Sequence, residues 1–154
     1  MIKFISVLLI SFSLLSFSSF GKKAAEQDKF ASFRDKMEGV RFSGFFTMTG
    51  KDVPPMEETY EIQSVQKFGE EDLWIFTARV KYGKKDVVLP MPLPVKWVGD
   101  VPVITMKDLN IPGLGTFSAH VVIDGDKYAG TWSHGKVGGH LYGKIEKMKK
   151  EDKK

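Results

Sequence analysis

Between Leu73 and Lys81 the chain alternates: Trp74, Phe76, Ala78 and Val80 fall at every second position, with Thr77, Arg79 and Lys81 between them. A period of two places the first set on one face of a β-strand, so this strand presents an aromatic and apolar side inward. Thr116–Asp124 repeats the pattern, with Phe117, Ala119, Val121 and Ile123 against Ser118 and His120. In the last such segment Leu141, Gly143 and Ile145 oppose Tyr142, Lys144 and Glu146. Turn signals punctuate the chain from Val40 onward at Gly50, Gly69, Tyr82-Gly83-Lys84, Val98-Gly99-Asp100, Ile111-Pro112-Gly113 and Asp124-Gly125-Asp126, with a loop from Ser133 to Gly139. The segments between them predict strands over Val40–Thr49, Glu58–Phe68, Leu73–Lys81, Asp86–Trp97, Val101–Lys107, Thr116–Asp124, Lys127–Ser133 and His140–Lys147. Short strands at this spacing form a meander, and the expected fold is all-β: an eight-stranded antiparallel barrel or two-sheet clam.

One stretch follows a different period. Over Lys22–Glu38, Phe30, Phe33 and Met37 recur at spacings of three and four, while Glu26, Asp28, Lys29, Arg34, Asp35 and Lys36 lie mostly elsewhere. This predicts an amphipathic N-terminal helix, ended by Gly39 as the residue after its cap. Its polar positions mix acids and bases, unlike the Lys/Arg-rich face of a membrane-surface helix.

Leu89-Pro90-Met91-Pro92-Leu93-Pro94-Val95-Lys96-Trp97 carries the most specific structural signal. Alternate residues of a strand direct their N–H groups to the same side. Pro90, Pro92 and Pro94 therefore remove three successive donors from one edge of the fourth strand. Met91, Leu93, Val95 and Trp97 share the other parity and form an apolar face. A barrel with an open seam is expected here in preference to a closed hydrogen-bonded cylinder. Such a seam blocks edge-to-edge aggregation, and it can also serve as the mouth of a cavity.

The N-terminus has its own signature. Lys3 precedes an uncharged run, Phe4–Phe20, of 17 residues containing six serines. A membrane span needs roughly 20 predominantly apolar residues, and the serines lower the hydrophobicity of the second half. Residues 1–21 are accordingly expected to be a cleaved export signal that leaves no membrane anchor, with the protein periplasmic or extracellular. The expected organisation is a signal at 1–21, a helix at 22–39, a barrel at 40–148 and a charged tail at 149–154. The chain has no cysteine, so neither disulfides nor a lipidated Cys can hold it, and burial must stabilise the domain. The formal net charge is +4, and the tail alternates lysines with Glu146, Glu151 and Asp152. A mixed-sign end is a solvated end, and no nucleic-acid partner is expected.

Candidate chemistry is sparse. His120, His134 and His140 lack the spacing and the companion ligands of a zinc site. Ser133 and His134 are neighbours on a strand and point to opposite faces, which argues against a nucleophile and base pair. Asp124-Gly125-Asp126 reads as a hairpin turn, and neither Gly113-Leu114-Gly115 nor Gly138-Gly139 has the strand, spacing and helix of a phosphate cradle. No catalytic activity, metal or cofactor is expected. The remaining candidates are aromatic and apolar: Trp74, Phe76, Met91, Leu93, Trp97 and Phe117 are expected to line the interior and contact a small hydrophobic ligand. A fully packed interior is compatible with the same residues. The alternative function is a non-catalytic envelope module recognising a protein or polysaccharide through the His134–Gly139 loop and the proline edge. A monomer is expected in either case.

Tyr128-Ala129-Gly130-Thr131-Trp132-Ser133-His134-Gly135 followed by Gly138-Gly139-His140-Leu141-Tyr142-Gly143 resembles the ending of small exported bacterial proteins that are themselves uncharacterised. That resemblance covers the last hairpin and implies no activity. In architecture, export combined with a meander of eight strands is similar to the lipocalin or calycin barrels, which implies binding of apolar ligands. Those barrels carry a Gly-x-Trp in the first strand, whereas Gly130-Thr131-Trp132 lies in the penultimate one.

Overall fold

A computed structural model describes residues 14–69, 71–82 and 84–149, with side chains from residue 21 onward except that of Tyr82. The expected export signal thus lies largely outside the described residues, as does all but the first residue of the charged tail. The chain divides into two compact units, Met1–Asp35 and Lys36–Lys154. Helix α1 spans Leu14–Met37 and so begins well before the predicted Lys22. Phe33 and Met37 are buried. Gly39 follows the helix at φ 68°, a left-handed conformation that glycine adopts without a Cβ clash. Among the described residues no helix is long and apolar enough to cross a membrane.

The second unit is the expected meander. Its strands are β1 (Val40–Phe46), β2 (Met56–Lys67), β3 (Leu73–Tyr82), β4 (Lys85–Val98), β5 (Val101–Ile111), β6 (Gly115–Asp124), β7 (Lys127–His134) and β8 (Val137–Lys147). Each pairs antiparallel with the next, and β8 returns to β1 with Gly44 opposite Gly143, so the barrel is closed. At eight strands the interior is just wide enough to be filled by side chains or to hold one small molecule.

Closure corrects the expectation of an open cylinder, and the prolines explain how both features coexist. β4 pairs with β3 over ten positions, from Leu73 opposite Pro94 to Tyr82 opposite Lys85. With β5 it pairs over only four, Val95–Val98 against Val101–Ile104. The Val95 N–H is donated to the Asp72 carbonyl at 2.8 Å, so odd-numbered residues of β4 direct their donors toward β3. The missing donors of Pro90, Pro92 and Pro94 therefore lie on the β5 side, where the ladder stops. Beyond that point a side-chain bond from Thr105 Oγ1 to the Pro94 carbonyl, 3.5 Å, replaces the backbone ladder. The seam is a gap within a closed barrel.

Two bulges set which residues face inward. Between Ile62 and Ser64 the β2–β3 register slips at Gln63, so Glu58, Tyr60 and Ile62 share the interior with Val65 although their parity differs. In β5 the slip falls between Met106 and Leu109. There Asp108 adopts φ 49°, and the Ser118 hydroxyl both accepts from the Asp108 N–H at 2.9 Å and donates to its carboxylate at 3.2 Å. Asp tolerates this left-handed conformation better than most residues. The interior beyond the bulge then continues with Leu109 and Ile111.

The Ser133–Gly139 loop of the sequence reading is a tight hairpin. β7 runs to His134 and β8 resumes at Val137, which leaves only Gly135 and Lys136 in the turn. Gly138 and Gly139 are strand residues whose missing side chains admit close neighbours: a Cβ on Gly139 would sit 2.0 Å from the Thr47 carbonyl oxygen.

Candidate functional site: an apolar barrel cavity with one buried carboxylate

The barrel encloses a cavity of about 200 Å³. Phe42 and Phe46 of β1, Ile62 of β2, Phe76 and Val80 of β3, and Met91 and Leu93 of β4 form much of one wall. Ile104, Met106 and Ile111 of β5, Phe117, Ala119 and Val121 of β6, Trp132 of β7 and Leu141 of β8 supply most of the rest. Met91 and Leu93 on one side, and Met106 and Ile111 on the other, flank the stretch where β4 and β5 carry no ladder.

One charged residue enters this lining. Glu58 is 4% exposed and points inward with Tyr60 and Ile62. The Tyr60 hydroxyl donates to Glu58 Oε2 at 2.8 Å, and the Tyr128 hydroxyl donates to Oε1 at 3.1 Å. Tyr60 is two residues along the same strand, whereas Tyr128 comes from β7, three strands around the barrel.

A row of glycines makes that reach possible. Tyr128 lies opposite Gly143, Gly143 opposite Gly44, and Gly44 opposite Glu58. The Tyr128 ring crosses this row. A Cβ on Gly143 would come within 2.8 Å of Tyr128 Cε1, and one on Gly44 within 2.6 Å of the Tyr128 hydroxyl. Phe42 holds the ring from one side at 5.1 Å between centroids. The device recurs two inward-facing positions along β7, where Trp132 lies opposite Gly139 and its Nε1 donates to the Thr47 carbonyl at 3.1 Å. Phe46 meets the Trp132 ring edge-on at 5.4 Å.

Burial pushes the Glu58 carboxyl above its ordinary range, and the two phenol donors pull it part of the way back. The Tyr128 hydroxyl is raised well beyond the usual tyrosine range, first by burial and then by the neighbouring Glu58 charge. Tyr128 therefore remains a hydrogen-bond donor across the whole working pH range.

The outer face handles its charges differently. Glu61, facing outward, is 7% exposed because Arg41, Arg79 and Lys81 converge on it at 3.3, 4.0 and 3.1 Å. Arg41, Glu61 and Arg79 occupy one register row across β1, β2 and β3. Arg79 also forms a two-pronged pair with Asp86, 2.7 Å at each contact.

Of the six residues expected to contact a ligand, Phe76, Met91, Leu93 and Phe117 line the cavity together. Trp74 and Trp97 are not part of that lining: Trp74 is fully buried, with Lys67 Nζ 5.9 Å above its ring, and Trp97 is half-buried. The histidines are dispersed. His134 stacks on Phe117 at 4.4 Å while its Nδ1 contacts the Thr116 carbonyl at 2.8 Å, and His120 and His140 lie on the outer face either side of Thr131. Among the described residues no group of three His, Asp or Glu is placed to hold a metal ion. Glu58 and Tyr128 were not among the six residues expected to contact a ligand. The available signal was parity: Glu58 alternates in step with Tyr60 and Ile62.

Compared with known proteins, the chain matches no family model, no curated protein and no solved structure. The architecture, an eight-stranded antiparallel barrel, is compatible with a lipocalin-like design.

Proposed function

We propose that this protein is an exported, non-catalytic binder of a small, mostly apolar molecule held inside the barrel. The carrying observation is the cavity of about 200 Å³, walled mostly by Phe, Met, Leu, Ile and Val side chains, with Glu58, Tyr60 and Tyr128 as its polar cluster. An apolar cavity of about 150 Å³ accommodates benzene, so this one has room for a ligand of about ten non-hydrogen atoms. Convergent apolar walls with a few placed polar groups are the usual composition of a small-molecule site. Access is proposed through the unladdered β4–β5 boundary, where the walls are held by side-chain packing without backbone hydrogen bonds. The charged start and serine-containing apolar run of residues 1–21 support export.

Thermal-shift measurements with eight-carbon probes test the reading. Binding is expected to raise the melting temperature, and Ala119→Leu, which adds bulk to the cavity wall, is expected to abolish that rise while the variant's circular dichroism stays native. No shift with any probe, or an undiminished shift in Ala119→Leu, would remove the cavity as the binding site.

A further inference from the structure

We propose that the polar end of the cavity selects an amine: the ligand's protonated nitrogen sits against Glu58, and its hydrocarbon body fills the apolar space. This rests on the cavity being a binding site. Glu58 lines that cavity, and each of its oxygens receives one phenol hydrogen bond, from Tyr60 or Tyr128. A carboxylate offers about four acceptor sites, so roughly two remain open. Both protein partners are neutral donors. Among the described residues no cation pairs with Glu58, whereas three, Arg41, Arg79 and Lys81, crowd around Glu61 on the opposite face of the same strand. The titratable side chains described against Glu58 are Tyr60 on its own strand and Tyr128 on β7, while β1 places Gly44 and β3 places Tyr82 at the same register position. The interior thus holds a buried carboxyl group that, once ionised, has hydrogen bonds but no counter-ion among the described residues.

Such a site ranks ligands by charge. A fatty carboxylate brings a second anion into the same low-dielectric space and is disfavoured. An alcohol supplies one hydrogen bond and no opposing charge. An ammonium supplies several donors, each bond charged on both sides, and cancels the buried charge. Amine affinity should also rise with pH as Glu58 loses its proton, because only the carboxylate form makes the ion pair.

Octylamine, octan-1-ol and octanoate, titrated calorimetrically into the full chain, share one hydrocarbon body and differ at the polar end. The expected order is amine over alcohol by about tenfold or more, with octanoate weakest. In Glu58→Gln the amine preference should vanish while the alcohol still binds. Equal affinities in the wild-type protein, or an amine preference that survives Glu58→Gln, would overturn the assignment and leave the cavity reading standing. Failure of all three to bind would remove both. Carboxyl-carbon NMR of the wild-type protein covers the case in which the variant does not fold. Octylamine should lower the Glu58 titration midpoint and octan-1-ol should not, and an unmoved midpoint with bound amine would overturn the proposal.

Discussion

Tyr128 reaches Glu58 because two intervening strands contribute hydrogen atoms where others would contribute side chains. At Gly44 an added methyl would lie 2.1 Å from the Tyr142 carbonyl oxygen and 2.6 Å from the Tyr128 hydroxyl. Backbone cannot yield as a flexible side chain can. Gly44→Ala should therefore cost about 1–3 kcal/mol, an overpacking penalty. Urea denaturation would measure it, and displacement of the ring would remove one of the two hydrogen bonds that hold the Glu58 titration down, so that titration should move further up. On the outer face, Glu61→Ala removes the anion shared by Arg41, Arg79 and Lys81. These cations are each about one-third exposed, so water screens their mutual repulsion, and the expected loss is about 1 kcal/mol. Raising the salt concentration should shrink that loss, because screening weakens the attraction and the repulsion alike.

β4 is the element in which a covalent feature of the chain decides the shape of the wall. Proline rings at 90, 92 and 94 leave its β3 flank paired from Lys85 to Pro94 and its β5 flank paired only from Val95. Substituting all three by valine would restore three N–H donors on the β5 side without changing the inward Met91, Leu93 and Val95. The expected result is a longer β4–β5 ladder, seen as slower amide exchange on the facing side of β5. Ligand uptake measured by stopped-flow fluorescence should slow in the same variant, since the proposed access route would be laced shut. Unchanged uptake alongside slowed exchange would place access elsewhere. β5 contributes its own irregularity, and the Asp108 bulge with its Ser118 contacts lets the strand keep Met106 and Ile111 inward despite differing parity.

For the whole molecule, a carboxylate inside the barrel makes stability depend on pH in an unusual direction. The Glu58 value is raised from 4.5 on folding, so between the unfolded and folded values the native state binds more protons than the unfolded state. Stability contributed through Glu58 is then fully present below 4.5 and is lost as pH rises through the folded value. Glu58→Gln removes this dependence. Its stability relative to wild type should rise with pH across that window and level off above it, as denaturation midpoints at several pH values would show. Asp86 and Asp126 titrate with the opposite sign, both held low by a neighbouring cation, but they are exposed and present equally in the two proteins. An amine bound to Glu58 would reverse the trend by stabilising the charged form.

Alternation along Leu73–Lys81 and Thr116–Asp124, and a glycine-centred signal at almost every turn, were enough to define eight strands and their inward faces there. These are local properties, because side-chain parity and turn chemistry are written within a few residues. The three prolines likewise foretold which strand would have a defective edge, since the missing donor is part of the residue itself. Barrel closure was not legible in this way: it depends on β1 meeting β8, about a hundred residues apart, and the proline gap proved too local to prevent it. Nor did the sequence reading locate the bulges at Gln63 and Asp108: the apolar alternation changes phase there, from Ile62 to Val65 and from Met106 to Leu109, but such a change becomes a bulge only against a partner strand that keeps its own register. Glu58 shows the same division. Its step with Tyr60 and Ile62 was present in the chain, but a carboxylate is tolerable inside only when donors meet it, and Tyr128 arrives across Gly143 and Gly44 from 70 residues away. The sequence determined the strands and the chemistry on each face; tertiary structure alone decided which faces would share one cavity, because that depends on contacts between residues far apart along the chain.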